Sequence, residues 1–212
     1  MKLKVCGLNN TENIKSVVSL RPDFAGFVFF RPSRRYFLKN NLSNGAFKGI
    51  PETIKKVGVF VDAPFEEIME AYHTYQLDYI QLHGNESPAY CARLLVNNIS
   101  LIKAFSVNEA STFKELEAYE PFCKYFLFDT KGKLPGGNGI KFSWHLLNNY
   151  SLEIPFFLSG GIGPDDIDAI QSFHHEKLYG IDINSRFEIE PGIKNIQKIE
   201  NFKKQLNKIN YE

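Results

Sequence analysis

Several features that mark common classes of protein are scarce in this chain. Its three cysteines, Cys6, Cys91 and Cys123, are widely spaced and form no CxxC pair, so we expect neither a disulfide framework nor a zinc site. No run of about 18 apolar residues occurs, which argues against a membrane-spanning helix. The chain has 25 basic and 24 acidic side chains, and this balance excludes a strong field for binding nucleic acid or an anionic membrane.

What remains is a compact protein that acts on small molecules. The 212 residues suffice for one sizeable core, and we expect residues 1–212 to form a single domain. The first apolar run starts beside Met1 and leaves no room for a signal peptide. Together with the scattered cysteines, this predicts a cytoplasmic protein. The sequence leaves open whether it is a monomer or a homodimer. No histidine and carboxylate residues have the spacing of a metal site, so we expect no metal.

Eight short apolar runs follow one another along the chain at the spacing of βα units, and most segments between them have helical periodicity. Each run ends at, or next to, a residue that could take part in binding or catalysis: Cys6, Arg35, Asp62, His83, Lys103, Asp129, Gly161 and Ser185. This pattern predicts an α/β protein folded as a single (β/α)8 TIM barrel. The active site of such a barrel lies at the carboxyl ends of its strands.

Helix boundaries are indicated by capping residues and by apolar stripes. We predict helices over residues 10–20, after Pro64, from Ser87-Pro88, from Gly163 and over 194–209. Residues 40–54 contain Gly45, Gly49 and Pro51, so we expect a short or irregular helix there.

Alternation of side chains sorts each strand into a face toward the helices and a face toward the barrel interior. We expect the more apolar set to face the helices. The interior set is then Lys4, Cys6, Gln81, His83, Lys103, Asp129 and Asp182. Because buried charges are costly unless paired, two lysines and two aspartates inside the barrel predict an ion-pair network beneath a polar pocket for a charged ligand.

Cys6 and Asp129 are the candidate base and acid. Cys6 shares a strand face with Lys4, whose ammonium would favour the thiolate, although free cysteines are also common as buried packing residues. Asp129 follows an aromatic strand and precedes the glycine-rich segment 131–139, which we interpret as a lid. Desolvation by Phe126 and Phe128 would favour its protonated form, whereas the alternative is a carboxylate that only caps a loop.

A phosphate site is predicted where the last two strands end. Barrels of this type bind phosphate there through backbone N–H groups, while the alternative for the glycines is a tight turn. The residues concerned are Ser159, Gly160, Gly161, Asn184 and Ser185.

Three more residues complete the candidate substrate-binding set. Arg35 follows the second strand in a Pro-Ser-Arg-Arg-Tyr turn and could bind a planar carboxylate through two N–H groups, or lie on the solvated surface. His83 and Asp182 lie at the ends of the fourth and eighth strands. For His83 a packed, hydrogen-bonded structural role is the alternative.

Ordered motifs extend this interpretation over almost the whole chain. They are KVCGL at 4–8, GFVF at 26–29, SRRY at 33–36, VGVFV at 57–61, QLHG at 81–84, FDT at 128–130, GGNG at 136–139 ahead of Phe142 and Trp144, LSGGI at 158–162, and DINS at 182–185 followed by Glu188, Pro191-Gly192 and Lys194. With these motifs the chain resembles the phosphoribosylanthranilate isomerase family of tryptophan biosynthesis.

The resemblance implies an eight-stranded βα barrel that converts N-(5-phosphoribosyl)anthranilate to its open-chain ketose by an Amadori rearrangement, without a cofactor. It implies that Asp129 protonates the ribose ring oxygen and that Cys6 removes the C2′ proton. It further implies that Arg35 holds the anthranilate carboxylate and that segments 159–161 and 184–185 hold the phosphate.

Two positions depart from the family pattern. Arg186 stands where many members have Gly or Ala, and it could either add a cation to the phosphate site or point outward. Ser143 replaces an aspartate that is common before the tryptophan of the lid segment, which bears on how the lid is anchored.

Two other functions stay open at this point. One is isomerisation of the related bis-phosphorylated aminoaldose of histidine biosynthesis, alone or as a second activity. The single evident phosphate site and Cys6, in place of an aspartate at the end of the first strand, argue against it. The other is a phosphosugar sensor without catalytic activity, which would bind its ligand tightly without turnover.

Overall fold

Eight parallel strands, paired in chain order, form a closed barrel in the computed structural model, which describes residues 1–40, 45–107, 113–130 and 143–209. The strands are β1 (Lys2–Val5), β2 (Phe24–Val28), β3 (Lys55–Phe60), β4 (Tyr79–Leu82), β5 (Leu101–Val107), β6 (Tyr125–Thr130), β7 (Phe156–Leu158) and β8 (Leu178–Ile183). The predicted (β/α)8 barrel is confirmed. The glycine-rich segment 131–139, interpreted as a lid, lies outside the described residues.

Helices lie between the strands, with 3₁₀ turns at several of the connections. The helices are α1 (Thr11–Ser19), α2 (Gly45–Lys48), α3 (Phe65–Tyr75), α4 (Pro88–Val96), α5 (Ile167–Ser172) and α6 (Ile196–Leu206). The 3₁₀ turns are Phe37–Asn40, Lys114–Tyr119, Trp144–Asn149, Pro164–Asp166 and Ser185–Phe187. Within the described ranges no helix is both long enough and apolar enough to cross a membrane.

Side-chain caps explain where three of the helices begin. The side chains of Asn10, Ser87 and Asn195 each accept a hydrogen bond from the backbone N–H three residues further on, which satisfies a donor that the first helical turn leaves unpaired. The last helix was predicted from Lys194. It begins two residues later because Lys194 belongs to a hairpin formed by β9 (Glu188–Glu190) and β10 (Ile193–Lys194).

The amino-terminal end of the barrel interior is filled by aromatic rings. These rings belong to residues at or near the start of five strands, and their centroids lie 4.5–6.3 Å apart. They are Phe24, Tyr79, Tyr125, Phe157 and Tyr179. Edge-to-face packing of this kind is favourable, and it closes one end of the barrel, so a ligand can enter only from the carboxyl ends of the strands.

Lys4 and Asp182 meet inside the barrel, as alternation along β1 and β8 predicts. The Lys4 side chain is fully buried, and its Nζ lies 2.9 Å from Oδ1 of Asp182. This pair is the core of the expected ion-pair network.

The prediction for Lys103 is wrong. Ile102 and Ala104, which we expected against the helices, pack inside the barrel with Leu127, so Lys103 points outward. Its Nζ lies 3.1 Å from Oε2 of Glu86 and donates to the carbonyls of Gly84 and Ala104 at 2.9 and 3.1 Å. Alternation identified which residues share a face, but polarity did not identify the interior, because a lysine can be buried outside a barrel when carbonyl and carboxylate oxygens surround it.

Glu86 joins the ends of two strands to this lysine. Its carboxylate accepts the backbone N–H groups of Asp62 and Gly84 at 2.9 and 3.0 Å in addition to pairing with Lys103. Glu86 and Lys103 are both buried, so each charge depends on the other.

We predict that Glu86→Gln lowers the free energy of unfolding by about 3–5 kcal/mol, because it leaves the Lys103 ammonium buried without a counter-charge. Urea denaturation followed by circular dichroism measures the change. The control is Glu200→Gln, which removes an exposed helical ion pair with Lys204 and should leave stability unchanged. Equal effects from the two substitutions would contradict the assignment of a structural role to the Lys103–Glu86 pair.

Candidate active site

A pocket of about 720 Å³, including the open space at its mouth, lies at the carboxyl ends of the barrel strands. Ten residues proposed from the sequence line it together: Cys6, Arg35, His83, Asp129, Ser159, Gly160, Gly161, Asp182, Asn184 and Ser185. They come from six of the eight strands or from the loops after them. The structure thus brings the candidate acid, base and binding residues to one cavity.

Cys6 directly follows β1, and its backbone N–H donates to the carbonyl of Ile183 at 2.9 Å. A glycine on the neighbouring strand makes room for the thiol, because a Cβ on Gly26 would lie only 2.8 Å from Sγ. Burial raises the pKa of the thiol above its ordinary value, and the ammonium groups of Lys4 and Lys194 offset only part of that rise. The expected activation by Lys4 therefore exists but is outweighed by desolvation.

The Lys4–Asp182 pair lies beneath the pocket and reaches the predicted phosphate segment. Oδ2 of Asp182 accepts a hydrogen bond from the Ser159 hydroxyl at 3.3 Å. Burial raises the pKa of Asp182, Lys4 opposes this rise, and the charge of Asp129 adds to it. Asp182 therefore interacts electrostatically with the candidate acid as well as with the phosphate segment.

Asp129 is the penultimate residue of β6 and lies beside His83. Nε2 of His83 lies 3.5 Å from Oδ2 of Asp129, and both side chains are partly exposed to the pocket. Burial, together with the charges of Lys103 and Lys4, lowers the pKa of His83 to about 4. The imidazole is therefore neutral at pH 7, and it faces the carboxylate as a polar, uncharged group.

Arg35 is held by the carboxylate of Glu188, a contact that no local sequence pattern predicts. Its Nε lies 2.9 Å from Oε1 of Glu188 and its Nη2 lies 2.6 Å from Oε2. Glu188 also accepts from Lys194 Nζ at 2.6 Å. Glu188 and Lys194 belong to the sequence motifs, but a separation of 153 positions between Glu188 and Arg35 leaves no local signal of the contact.

The segments that follow β7 and β8 line the same pocket. Gly160 and Gly161 have φ angles of 90° and 68°, a backbone conformation that side chains rarely adopt. Both line the pocket beside Asn184 and Ser185. The tight turn and the predicted binding segment are thus the same structure.

Arg186 and Ser143 are the two departures from the family pattern, and the structure describes the surroundings of the first more fully than those of the second. Arg186 is exposed, and its guanidinium lies over Gly163, where an added Cβ would be 2.7 Å from Nε. It flanks the loop after β7 and is not among the residues that line the pocket. Ser143 precedes the 3₁₀ turn Trp144–Asn149 without making a capping hydrogen bond, and the segment that it would anchor lies outside the described residues.

Besides Ser33 and Gln81, five apolar residues complete the wall, and the sequence analysis assigned none of the five to the site. They are Val28, Phe30, Val59, Val61 and Ile162. The alternation of β3, with Phe60 packed in the outer core, could have located Val59 and Val61. Such a wall suits an aromatic or sugar ring between two charged ends. In the described part of the chain no group of three histidine, cysteine or acidic residues is placed to hold a metal ion.

Comparison with known proteins agrees with this geometry. The family model described as N-(5′-phosphoribosyl)anthranilate (PRA) isomerase matches residues 3–205. An N-(5′-phosphoribosyl)anthranilate isomerase of Parabacteroides distasonis is 45% identical over 97% of this chain and 93% of its own length.

Solved structures extend the comparison to three dimensions. The phosphoribosyl anthranilate isomerase of Thermotoga maritima is 30% identical, with a TM-score of 0.81 and 98% of each chain covered. A phosphoribosyl anthranilate isomerase in complex with reduced 1-(o-carboxyphenylamino)-1-deoxyribulose 5-phosphate is 28% identical, with a TM-score of 0.77 and 98% of each chain covered. Since the family model covers nearly the whole chain and the identity extends over its full barrel, this chain belongs to the N-(5′-phosphoribosyl)anthranilate isomerase family.

Proposed function

We propose that this chain converts N-(5′-phosphoribosyl)anthranilate into 1-(o-carboxyphenylamino)-1-deoxyribulose 5-phosphate in tryptophan biosynthesis, with Cys6 as general base and Asp129 as general acid. One observation carries the proposal. A buried thiol and a carboxylate, on strands that are not neighbours in the barrel, line the same pocket as an arginine and a glycine turn. This set matches a substrate that has one carboxylate, one phosphate and two protons to be moved.

The chemistry follows from where the two groups lie. Protonated Asp129 donates its proton to the ribose ring oxygen, the C1′–O bond breaks, and the nitrogen lone pair forms the Schiff base. Cys6, as thiolate, then removes the proton from C2′, and the electron pair of that bond forms the enolamine. The enolamine then loses its O2′ proton and gains a proton at C1′, which gives the ketose. Return of a proton from Cys6 to Asp129 through solvent restores both groups, so the reaction is a net isomerisation that consumes no other reactant.

The remaining pocket residues hold the two ends of the substrate. Arg35 binds the anthranilate carboxylate, and the turns at 159–161 and 184–185 bind the phosphate through backbone N–H groups. Asp182 fixes the Ser159 hydroxyl, and neutral His83 contacts the substrate next to Asp129. Holding a flexible phosphosugar at both ends places C2′ and the ring oxygen near their catalytic groups.

The proposal extends to the setting of the reaction. We propose one catalytic domain over residues 1–212, a small phosphosugar as partner, a cytoplasmic location and either a monomer or a homodimer. The three free cysteines, all buried, support a reducing compartment.

We predict that Cys6→Ala and Asp129→Asn each lower kcat about a hundredfold or more, because each removes a group that transfers a proton. Loss of fluorescence of freshly generated phosphoribosylanthranilate measures the rate above the spontaneous background. Cys123→Ala and Asp168→Asn, which lie outside the pocket, are the matched controls.

Wild-type protein that binds the product analogue but shows no turnover would support the sensor function and end this proposal. Turnover of the bis-phosphorylated aminoaldose at a comparable rate would support the second isomerase activity instead.

We predict that the rate of Cys6 alkylation by iodoacetamide, in a variant lacking Cys91 and Cys123, rises with pH through the alkaline range with a midpoint above the ordinary thiol value of about 8.5. The thiolate is the reactive form, and burial raises the pKa of Cys6, so the reactive fraction grows as pH increases. No step is expected near pH 6.5, since the pKa of His83 is lowered to about 4. A plateau in the alkylation rate already reached at neutral pH would contradict a raised pKa for Cys6.

A further inference from the structure

The short strand β9 has its side chains arranged in the reverse of the usual order. Its apolar residue, Ile189, is 72% exposed, whereas the carboxylate of Glu188 beside it is only 5% exposed. A surface strand ordinarily turns its apolar residue inward and its acid toward water. The cost of burying Glu188 therefore needs a compensating set of contacts.

Those contacts come from three directions. Oε1 and Oε2 of Glu188 accept from Nε and Nη2 of Arg35 at 2.9 and 2.6 Å. Oε1 also accepts from Lys194 Nζ at 2.6 Å and from the backbone N–H of Gly192 at 3.0 Å. Although burial opposes ionisation, the hydrogen bond from Arg35 and the charge of Lys194 hold the pKa of Glu188 below its usual range. Glu188 is thus an anion that binds two cations at the edge of the pocket.

This arrangement uses only one edge of the Arg35 guanidinium. A guanidinium has five N–H groups, and Glu188 takes the one on Nε and one on Nη2. Among the described residues no acceptor occupies Nη1, so the edge formed by Nη1 and the second Nη2 hydrogen remains available. Arg35 itself lines the pocket. A carboxylate can therefore be bound by two parallel hydrogen bonds on that edge.

Lys194 extends the same network to the loop after the candidate base. Its buried Nζ donates to Oδ1 of Asn184 at 2.7 Å as well as to Glu188. Gly7, which follows Cys6, has a φ of 79°, and a Cβ there would lie 2.7 Å from both Oδ1 of Asn184 and Cδ of Arg35. The hairpin thus fixes two side chains that pack directly against this loop.

We propose that Glu188 is a positioning residue. It holds Arg35 by its Nε–Nη2 edge, with Lys194 as the second cation on the same carboxylate, so that the Nη1–Nη2 edge binds the ring carboxylate of the substrate. This inference depends on the proposed role of Arg35. It assigns to the β9–β10 hairpin a part in selecting substrates that carry a carboxylate on the aromatic ring. A loosely held arginine would lose more conformational freedom on binding.

The test compares two ligands that differ at one position. One is the reduced product analogue with its ring carboxylate, and the other is the same compound with hydrogen in place of the carboxylate. Glu188→Gln should weaken binding of the first ligand about tenfold or more and change the second by less than about twofold, because only the charge-assisted contact is lost. Calorimetric titration gives both dissociation constants. Glu190→Gln, an exposed change on the same strand, should alter neither.

Activity provides a second readout. In the Glu188→Gln variant kcat/KM should fall mainly through KM, and Glu188→Asp should recover part of the loss. If Glu188 acts through Arg35, adding Glu188→Gln to an Arg35→Lys variant should cause little further loss of affinity. If Glu188→Gln does not fold, the same two ligands are compared with Glu188→Asp. The double-mutant cycle is then made from Glu188→Asp and Arg35→Lys.

Equal weakening of both ligands would overturn the inference, since it would indicate a general structural role. Unchanged affinity for the carboxylated ligand would also overturn it. Failure of the proposed function gives a different result, because wild-type protein would then discriminate between the two ligands without catalysing turnover of phosphoribosylanthranilate.

Discussion

The pocket depends on the buried ion pair between Lys4 and Asp182. These residues are register partners on β1 and β8, the strands whose pairing closes the barrel, and 2.9 Å separates Nζ from Oδ1. Neither charge would be tolerated there alone, since breaking a buried pair costs about 3–5 kcal/mol. The pair is favourable only while the backbone hydrogen bonds of two neighbouring strands keep both side chains in register. The pairing of β1 with β8 therefore both closes the barrel and keeps the charged pair together beneath the pocket.

The same pair shifts the pKa of Cys6, the thiol that we propose as the base. Asp182 adds to the rise in the pKa of Cys6, while Lys4 opposes it, so the thiol responds to both members. Burial dominates, and a thiolate formed in this site is a stronger base than one formed in water. Burial of Cys6 thus lowers the fraction of thiolate at neutral pH and makes the thiolate that does form more basic. Asp129, which raises the pKa of Asp182, belongs to the same set of coupled charges.

Local patterns in the sequence were sufficient to predict the barrel and most of the polar residues that line the candidate site. Caps at Asn10 and Ser87 and the order of apolar runs depend on neighbouring residues, so they can be recognised without the fold. Lys103 was misplaced because alternation does not say which face is the interior. The outward position of Lys103 depends on Glu86, which lies on the loop after β4 and pairs with the lysine. The contact between Arg35 and Glu188 depends on how the barrel closes, and no local pattern predicts it.

The buried cations around the pocket are paired with carboxylates, which limits the net charge that can attract an anion. Lys4 is neutralised by Asp182, and Arg35 and Lys194 share Glu188, so the pocket offers the substrate little net positive charge. The overall balance of the chain, +1 at pH 7, adds no long-range attraction. In the proposed function, recognition of the phosphate and the carboxylate then comes from directed donors, namely the Nη1–Nη2 edge of a held guanidinium and the N–H groups of a rigid turn. Donors fixed in advance need no reorganisation when the ligand arrives. Glu188, which offsets the charge of Arg35 and Lys194, also holds the guanidinium. Asp182, which offsets the charge of Lys4, also accepts a hydrogen bond from the hydroxyl of Ser159 beside the glycine turn.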